Sequence, residues 1–117
     1  MPLYNLGDLP HLQNAVHFWE QTNFGTVEGH DHLLGLMEEV GELAHAHLKA
    51  RQGIRGSAES HRVAKIDAIG DILIYLLNYC AAEDISLADA LLTTWNTVRQ
   101  RDWKANPQTG VAHAVEG

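Results

Sequence analysis

The sequence predicts an all-α protein: a four-helix bundle-like protomer assembled as a dimer or tetramer. Three observations predict it. Apolar residues recur at helical spacing along most of the chain, and no segment alternates with period two for long enough to form a good strand. Two glycine pairs, Gly25 with Gly29 and Gly53 with Gly56, break that pattern where helix connections belong. The third helical segment is apolar around most of its circumference, and a helix of that kind is buried on nearly all sides. Four short helices hardly cover one of their number completely, so a second subunit is expected to help bury it; a longer loop laid over it is the alternative.

The first helix is expected from about Leu9 to Asn23. Asp8 is its candidate N-cap, and Pro10 is tolerated in a first turn because its missing donor would be unpaired anyway. The second is expected from about His32 to Arg51, with Asp31 as cap. The third follows Ser57 and continues to about Ala82. The fourth follows Ser86, with Asp89 three residues later as a capping-box analogue, and ends near Trp103, before Pro107. Residues 1–106 read as one domain and residues 107–117 as a flexible tail.

A chain of 117 residues suits one domain with a real core. The net charge of −7 argues against a nucleic-acid groove, which needs clustered Lys and Arg. It leaves a nucleotide open, because metal ions bridge acidic sites to phosphates. Cys80 is the single cysteine, so no internal disulfide forms, and a reducing, cytoplasmic setting is expected. Met1–Pro10 has no basic stretch followed by a long apolar run, so no signal peptide is expected. The apolar run Ile72–Leu77 is too short to span a bilayer.

The chemistry concentrates on the second and third helices. Glu38, Glu39 and Glu42 occupy an arc of about 100° on the second, with Leu33, Leu36, Met37, Val40 and Leu43 on the other side. Asp67, Asp71 and Asn78 fall within a stripe about 40° wide on the apolar third helix. A buried, unpaired carboxylate is costly, so these aspartates call for cations, donors or a metal. Packed antiparallel through the Gln52–Ser57 connection, the two helices can point both sets of acids into one pocket. Converging carboxylates repel one another, and all-oxygen ligation suits Mg²⁺ or Mn²⁺ rather than zinc.

Glu38-Glu39-Val40-Gly41-Glu42-Leu43, followed by Asp67-Ala68-Ile69-Gly70-Asp71-Ile72-Leu73-Ile74-Tyr75-Leu76, resembles the MazG-like family of nucleoside triphosphate pyrophosphohydrolases. Its signature is E-E-x-x-E on one helix and E-x-x-D on the next. The resemblance spans roughly Leu33 to Trp103. It implies an all-α fold, a dimeric or higher assembly, Mg²⁺, and cleavage between the α and β phosphates to a nucleoside monophosphate and pyrophosphate. The implied role is clearing unwanted triphosphates from the nucleotide pool, with dUTP, dCTP and damaged or non-standard triphosphates as candidates. Glu39, Glu42 and Asp71 match the family's metal-binding positions. Glu38 matches a position for a ligand, a supporting acid or the base that activates water. One departure stands out: the Glu of E-x-x-D falls on Ala68, which cannot bind a metal. Asp67, four residues before Asp71 and in its stripe, is expected to take over that role.

Phosphates also need cationic donors. Lys49, Arg51 and Arg55 cluster where the second helix ends, and Arg99, Arg101 and Lys104 where the fourth does. Tyr75, one turn after Asp71, matches a position that the family places near the nucleotide, and Asn96 matches a polar position on its last helix. Trp19 is a candidate to stack on a base, as are Phe18, Trp95 and Trp103. His45 and His47 diverge on a helix and should not chelate one ion together. Glu42 and His45 form E-x-x-H, but a di-iron bundle needs two such motifs, and Glu59 is followed three residues on by Arg62. A helical nucleotide- or metal-binding regulatory module that has lost hydrolysis, with Ala68 as the scar, is the alternative to an enzyme.

Overall fold

A computed structural model describes residues 6–112. Among the described residues the chain forms a short 3₁₀ turn (Leu6–Asp8) and four α-helices: α1 (Leu9–Phe24), α2 (Gly29–Gln52), α3 (Ala58–Ala82) and α4 (Leu87–Val98). These residues contain no strand, in keeping with the all-α expectation. None of their helices is long and apolar enough to cross a membrane. Residues 1–5 of the segment read for a leader, and residues 113–117 of the expected tail, lie outside the described residues.

Local chemistry accounts for the helix ends. The Ser57 hydroxyl accepts from the Ser60 backbone N–H at 3.0 Å, and the Ser60 hydroxyl accepts from the Ser57 N–H at 2.9 Å, closing a capping box at the start of α3. Ser86 caps α4 by accepting from the Asp89 N–H at 3.2 Å. Asp8 occupies the cap position of α1, but its side chain makes no cap bond; the preceding 3₁₀ turn leads into the helix instead. α2 begins at Gly29, three residues ahead of the expected start, so Asp31 sits inside its first turn, where a negative charge favours the helix dipole. α4 stops at Val98 rather than near Trp103. The Asp102 carboxylate accepts from the Lys104 and Ala105 N–H groups at 3.1 and 3.0 Å, a local turn that competes with helix. The chain then doubles back, with the Asp102 N–H donating to the Gly110 carbonyl at 2.8 Å and Trp103 lying over buried Gly110.

α2 and α3 form a long antiparallel hairpin, each about 36 Å by helical rise. α1 packs on α3, α4 packs on α1, and no comparable contact joins α4 to α2 or α3. Polar side chains make the junctions. Gln13 is buried on α1 and clamps the α3–α4 connection, donating to the Ile85 carbonyl at 2.8 Å and accepting from the Leu87 N–H at 2.9 Å. Glu20 on α1 and His32 on α2 are both buried, with His32 Nε2 2.8 Å from each Glu20 oxygen. Removing one partner strands the other away from water. Glu20→Ala should therefore lower stability by about 1–3 kcal/mol, read as a lower urea midpoint at unchanged slope; an unchanged midpoint would mean the pair does not tie α1 to α2.

A single chain buries little apolar surface. Among the described residues the buried hydrophobic ones are Ala46, Ala68, Leu77 and Cys80, whereas Gln13, Glu20, His32, His61 and Asn78 are buried polar ones. Ile66, Ile69 and Leu73 on α3 remain 55%, 48% and 48% exposed. No residue of α4 is buried, and Trp95 is 56% exposed. The radius of gyration is 18.9 Å, against about 13 Å for a compact domain of this length. The all-round apolar α3 is thus covered on the α2 and α1 sides only, and no loop is laid over the remainder among the described residues.

Candidate carboxylate site

The α2–α3 hairpin sets the register of the acids. Gly35 faces Tyr75 so closely that a Cβ at Gly35 would overlap the tyrosine ring. Gly29 meets Tyr79 and Glu83. Continuing the same antiparallel register places Glu39 opposite Asp71 and Glu42 opposite Ala68.

Glu39 carries the clearest electrostatic signature. Its carboxyl is held above the usual carboxylate range, first by burial, then by a hydrogen bond with Glu42, then by the charges of Glu42, Asp71 and Glu38. One Glu39 oxygen, Oε2, is shut off from water and has no hydrogen-bond partner. A carboxylate oxygen in that position favours a proton or a cation. Glu38 and Glu42 from α2 and Asp71 from α3 thus all act on Glu39. As they stand, no three Asp, Glu, His or Cys side chains among the described residues are grouped closely enough to hold a metal ion. The donor set is nevertheless the all-oxygen kind that hard divalent cations take, and Glu39 Oε2 supplies the unsatisfied atom.

Asp67 is not brought into this cluster. Asp67 and Asp71 are both exposed rather than buried, but only Asp71 is among the charges that act on Glu39. Helical phase explains why. Ala68 is 3% exposed and faces the α2 seam, and Asp67 lies about 100° around the helix from it. Asp67 shares a stripe with Asp71, as the spacing required, but on the side away from the seam.

Beside the acids lies a pocket of about 630 Å³, lined among others by Glu38, Glu42, His45, Lys49, Arg55 and His61. Lys49 is part of this lining. Arg51 is exposed and not part of the lining; Arg55, in the connection after α2, takes that place. His61 also lines the pocket, 7% exposed, with Nε2 buried and unpartnered. The sequence offered a signal for it, a histidine one turn into a capped helix beside a cationic turn, but chain spacing does not show that the turn folds back over it.

The base-reading candidates are dispersed. Tyr75 is half-buried against Gly35, one turn from Asp71. Trp19 is 55% exposed and meets Phe24 edge-to-face at 5.7 Å. It lines a separate apolar pocket of about 300 Å³ with Leu12, Val16 and Ile74. Asn96 is exposed on α4, its Oδ1 accepting from Arg99 Nε at 3.3 Å, and α4 packs on α1 rather than on the hairpin that carries the acids. Within one chain, neither Trp19 nor Asn96 lines the pocket beside the carboxylates. No family model, no curated protein and no solved structure matches the chain.

Proposed function

We propose that this chain is a Mg²⁺- or Mn²⁺-dependent nucleoside triphosphate pyrophosphohydrolase that cleaves between the α and β phosphates and works as a homodimer or homotetramer. The observation that carries the reading is the set of acids Glu38, Glu42 and Asp71 acting on Glu39, whose Oε2 is buried and unpartnered. Glu39, Glu42 and Asp71 would hold the cation. Once bound, the ion would offset phosphate charge and lower the pKa of an attacking water. Glu38, exposed beside the cluster and lining the pocket, is positioned to accept that water's proton. Lys49 supplies positive charge for phosphate oxygens at the far end of the same pocket. Tyr75, one helical turn after Asp71 on α3, would contact the base.

Assembly belongs to the same reading. The exposed apolar residues of α3 and α4, and the unburied length of the hairpin, match a protomer whose core is completed by a second copy. Such a copy also offers a route for Trp19 or Asn96 to reach the acids of its neighbour. Chelation tests the metal requirement. Turnover of a nucleoside triphosphate should stop in EDTA and return with excess Mg²⁺ or Mn²⁺; full activity in EDTA would remove the metal from the account.

A second reading is favoured by Ala68 at the seam and by the absence, among the described residues, of three acids already grouped for a metal. On that reading the chain is a nucleotide- or metal-binding regulatory module. Tight, Mg²⁺-dependent nucleotide binding without any pyrophosphate release identifies it.

A further inference from the structure

The α2–α3 elbow holds more than the acid cluster uses. Glu38, Glu42, His45 and Lys49 follow one another at spacings of four, three and four residues, so one face of α2 lines the pocket for about 16 Å. Its character changes along that length, from carboxylates at one end to Lys49 at the other, where Arg55 and His61 join it. Among the described residues neither Lys49 nor Arg55 pairs with a carboxylate; Lys49 Nζ donates only to the neutral Gln52 Oε1, at 3.0 Å. Arg55 is held in the left-handed region at φ 59°, a conformation unusual for any residue but glycine. The connection is wound tightly onto α3: a Cβ on Gly56 would come within 2.6 Å of Ser60 Oγ and 3.4 Å of the His61 ring. His61 is 93% buried by that wrapping, yet its Nε2 has no partner. One pocket is thus lined by a buried histidine with an unpartnered ring nitrogen and by two cationic side chains without acidic partners, a set that points to an anion.

We propose that Lys49, Arg55 and His61 form a pyrophosphate subsite, which grips the two phosphates that leave in hydrolysis and retains them as inorganic pyrophosphate. The role in catalysis rests on the pyrophosphohydrolase reading; the affinity for pyrophosphate does not. The bipolar pocket fits such a ligand. An oligophosphate chain laid along α2 meets the acids, where a cation offsets their repulsion, and ends among the positive groups. Retention of the released group makes pyrophosphate an inhibitor that competes with the triphosphate.

Calorimetric titration of the full chain with inorganic pyrophosphate, with and without Mg²⁺, tests this directly. The unaltered chain should bind pyrophosphate and should bind orthophosphate more weakly. Arg55→Gly is the informative variant, because glycine suits the positive φ and leaves the turn free of strain. It should melt no lower than the unaltered chain, yet bind pyrophosphate about ten- to a hundred-fold more weakly. Lys49→Ala and His61→Gln should weaken binding in the same direction. Equal affinity in the Arg55→Gly and Lys49→Ala variants, or no pyrophosphate binding by the unaltered chain in either condition, overturns the subsite. The two readings fail separately. Pyrophosphate binding lost in the variants of a chain that hydrolyses no nucleotide supports the subsite and removes the enzyme. Hydrolysis whose inhibition by pyrophosphate is unchanged in Arg55→Gly supports the enzyme and removes the subsite.

Discussion

Asp71→Asn and Glu42→Gln should each cut Mg²⁺-dependent turnover by about a hundred-fold or more, since groups that merely orient a metal's ligands are already worth about 10–100-fold. Both acids act on Glu39 across or along the hairpin, and each variant removes a negative oxygen from the proposed cation site. Asp67→Asn should change the rate by only a few-fold, because Asp67 lies away from the α2 seam and is not among the charges that act on Glu39. Equal damage from Asp67→Asn and Asp71→Asn would show that a neighbouring subunit or the bound cation draws Asp67 in after all. Stability gives an independent check through Glu39. Its folded-state pKa lies above the ordinary value of a glutamate. As pH rises past that value, the unfolded chain releases the proton before the folded one does, so metal-free stability falls through the interval up to the folded pKa. Glu39→Gln should remove that slope and raise the melting temperature in EDTA. Saturating Mg²⁺ should stabilise the unaltered chain more than this variant and reverse their order, because a ligand that binds only the native state adds stability in proportion to its affinity. Melting curves over pH, with EDTA and with Mg²⁺, read all of this; a Glu39→Gln variant less stable in EDTA would contradict the repulsion.

The second large effect concerns assembly. Leu73→Asp or Ile69→Asp should convert the oligomer to a monomer or prevent folding, and should abolish activity in either case. Both residues are 48% exposed in the single chain, so a carboxylate there costs little unless another copy covers it. Inside an interface the same carboxylate is desolvated without a partner, at a cost of several kcal/mol. Sedimentation at micromolar concentration distinguishes the cases. The unaltered chain should sediment as a dimer or tetramer; a stable, cooperatively melting monomer would leave the apolar face of α3 without an explanation.

Helices were the legible part of this sequence, and most legible where a cap and a pattern agreed. Ser57 and Ala82 bracket α3 as expected, because the serine meets its capping partner locally and the apolar run fills every turn. Boundaries set by longer-range events were not legible. α2 starts at Gly29, which packs against Tyr79 and Glu83, partners some fifty residues away. α4 stops early because Asp102 captures two backbone donors and the chain returns through Gly110. The site divides in the same way. The arc of Glu38, Glu39 and Glu42 and their approach to Asp71 follow from helical phase and an antiparallel hairpin, both readable from spacing. Asp67 shows the limit: a stripe of 40° can be drawn on one helix, but the side of that stripe that faces the neighbour depends on packing. Arg55 and His61 were hidden for a different reason. Their meeting depends on a left-handed turn at Arg55 and on the close approach of Gly56 to α3, neither of which a periodicity expresses. The buried bond of Glu20 to His32 was equally invisible, since both residues read as polar positions on amphipathic helices.

Phosphorus NMR of a panel of nucleoside triphosphates incubated with the protein and Mg²⁺ locates the cut, because each cleavage position leaves a different pair of phosphorus signals. Equal amounts of nucleoside monophosphate and inorganic pyrophosphate should form from at least one triphosphate, with no diphosphate intermediate and no reaction in EDTA. Nucleoside diphosphate with orthophosphate would place the cut at the γ position, and a full panel left intact while bound would make the chain a nucleotide-binding module; either result would contradict the pyrophosphohydrolase.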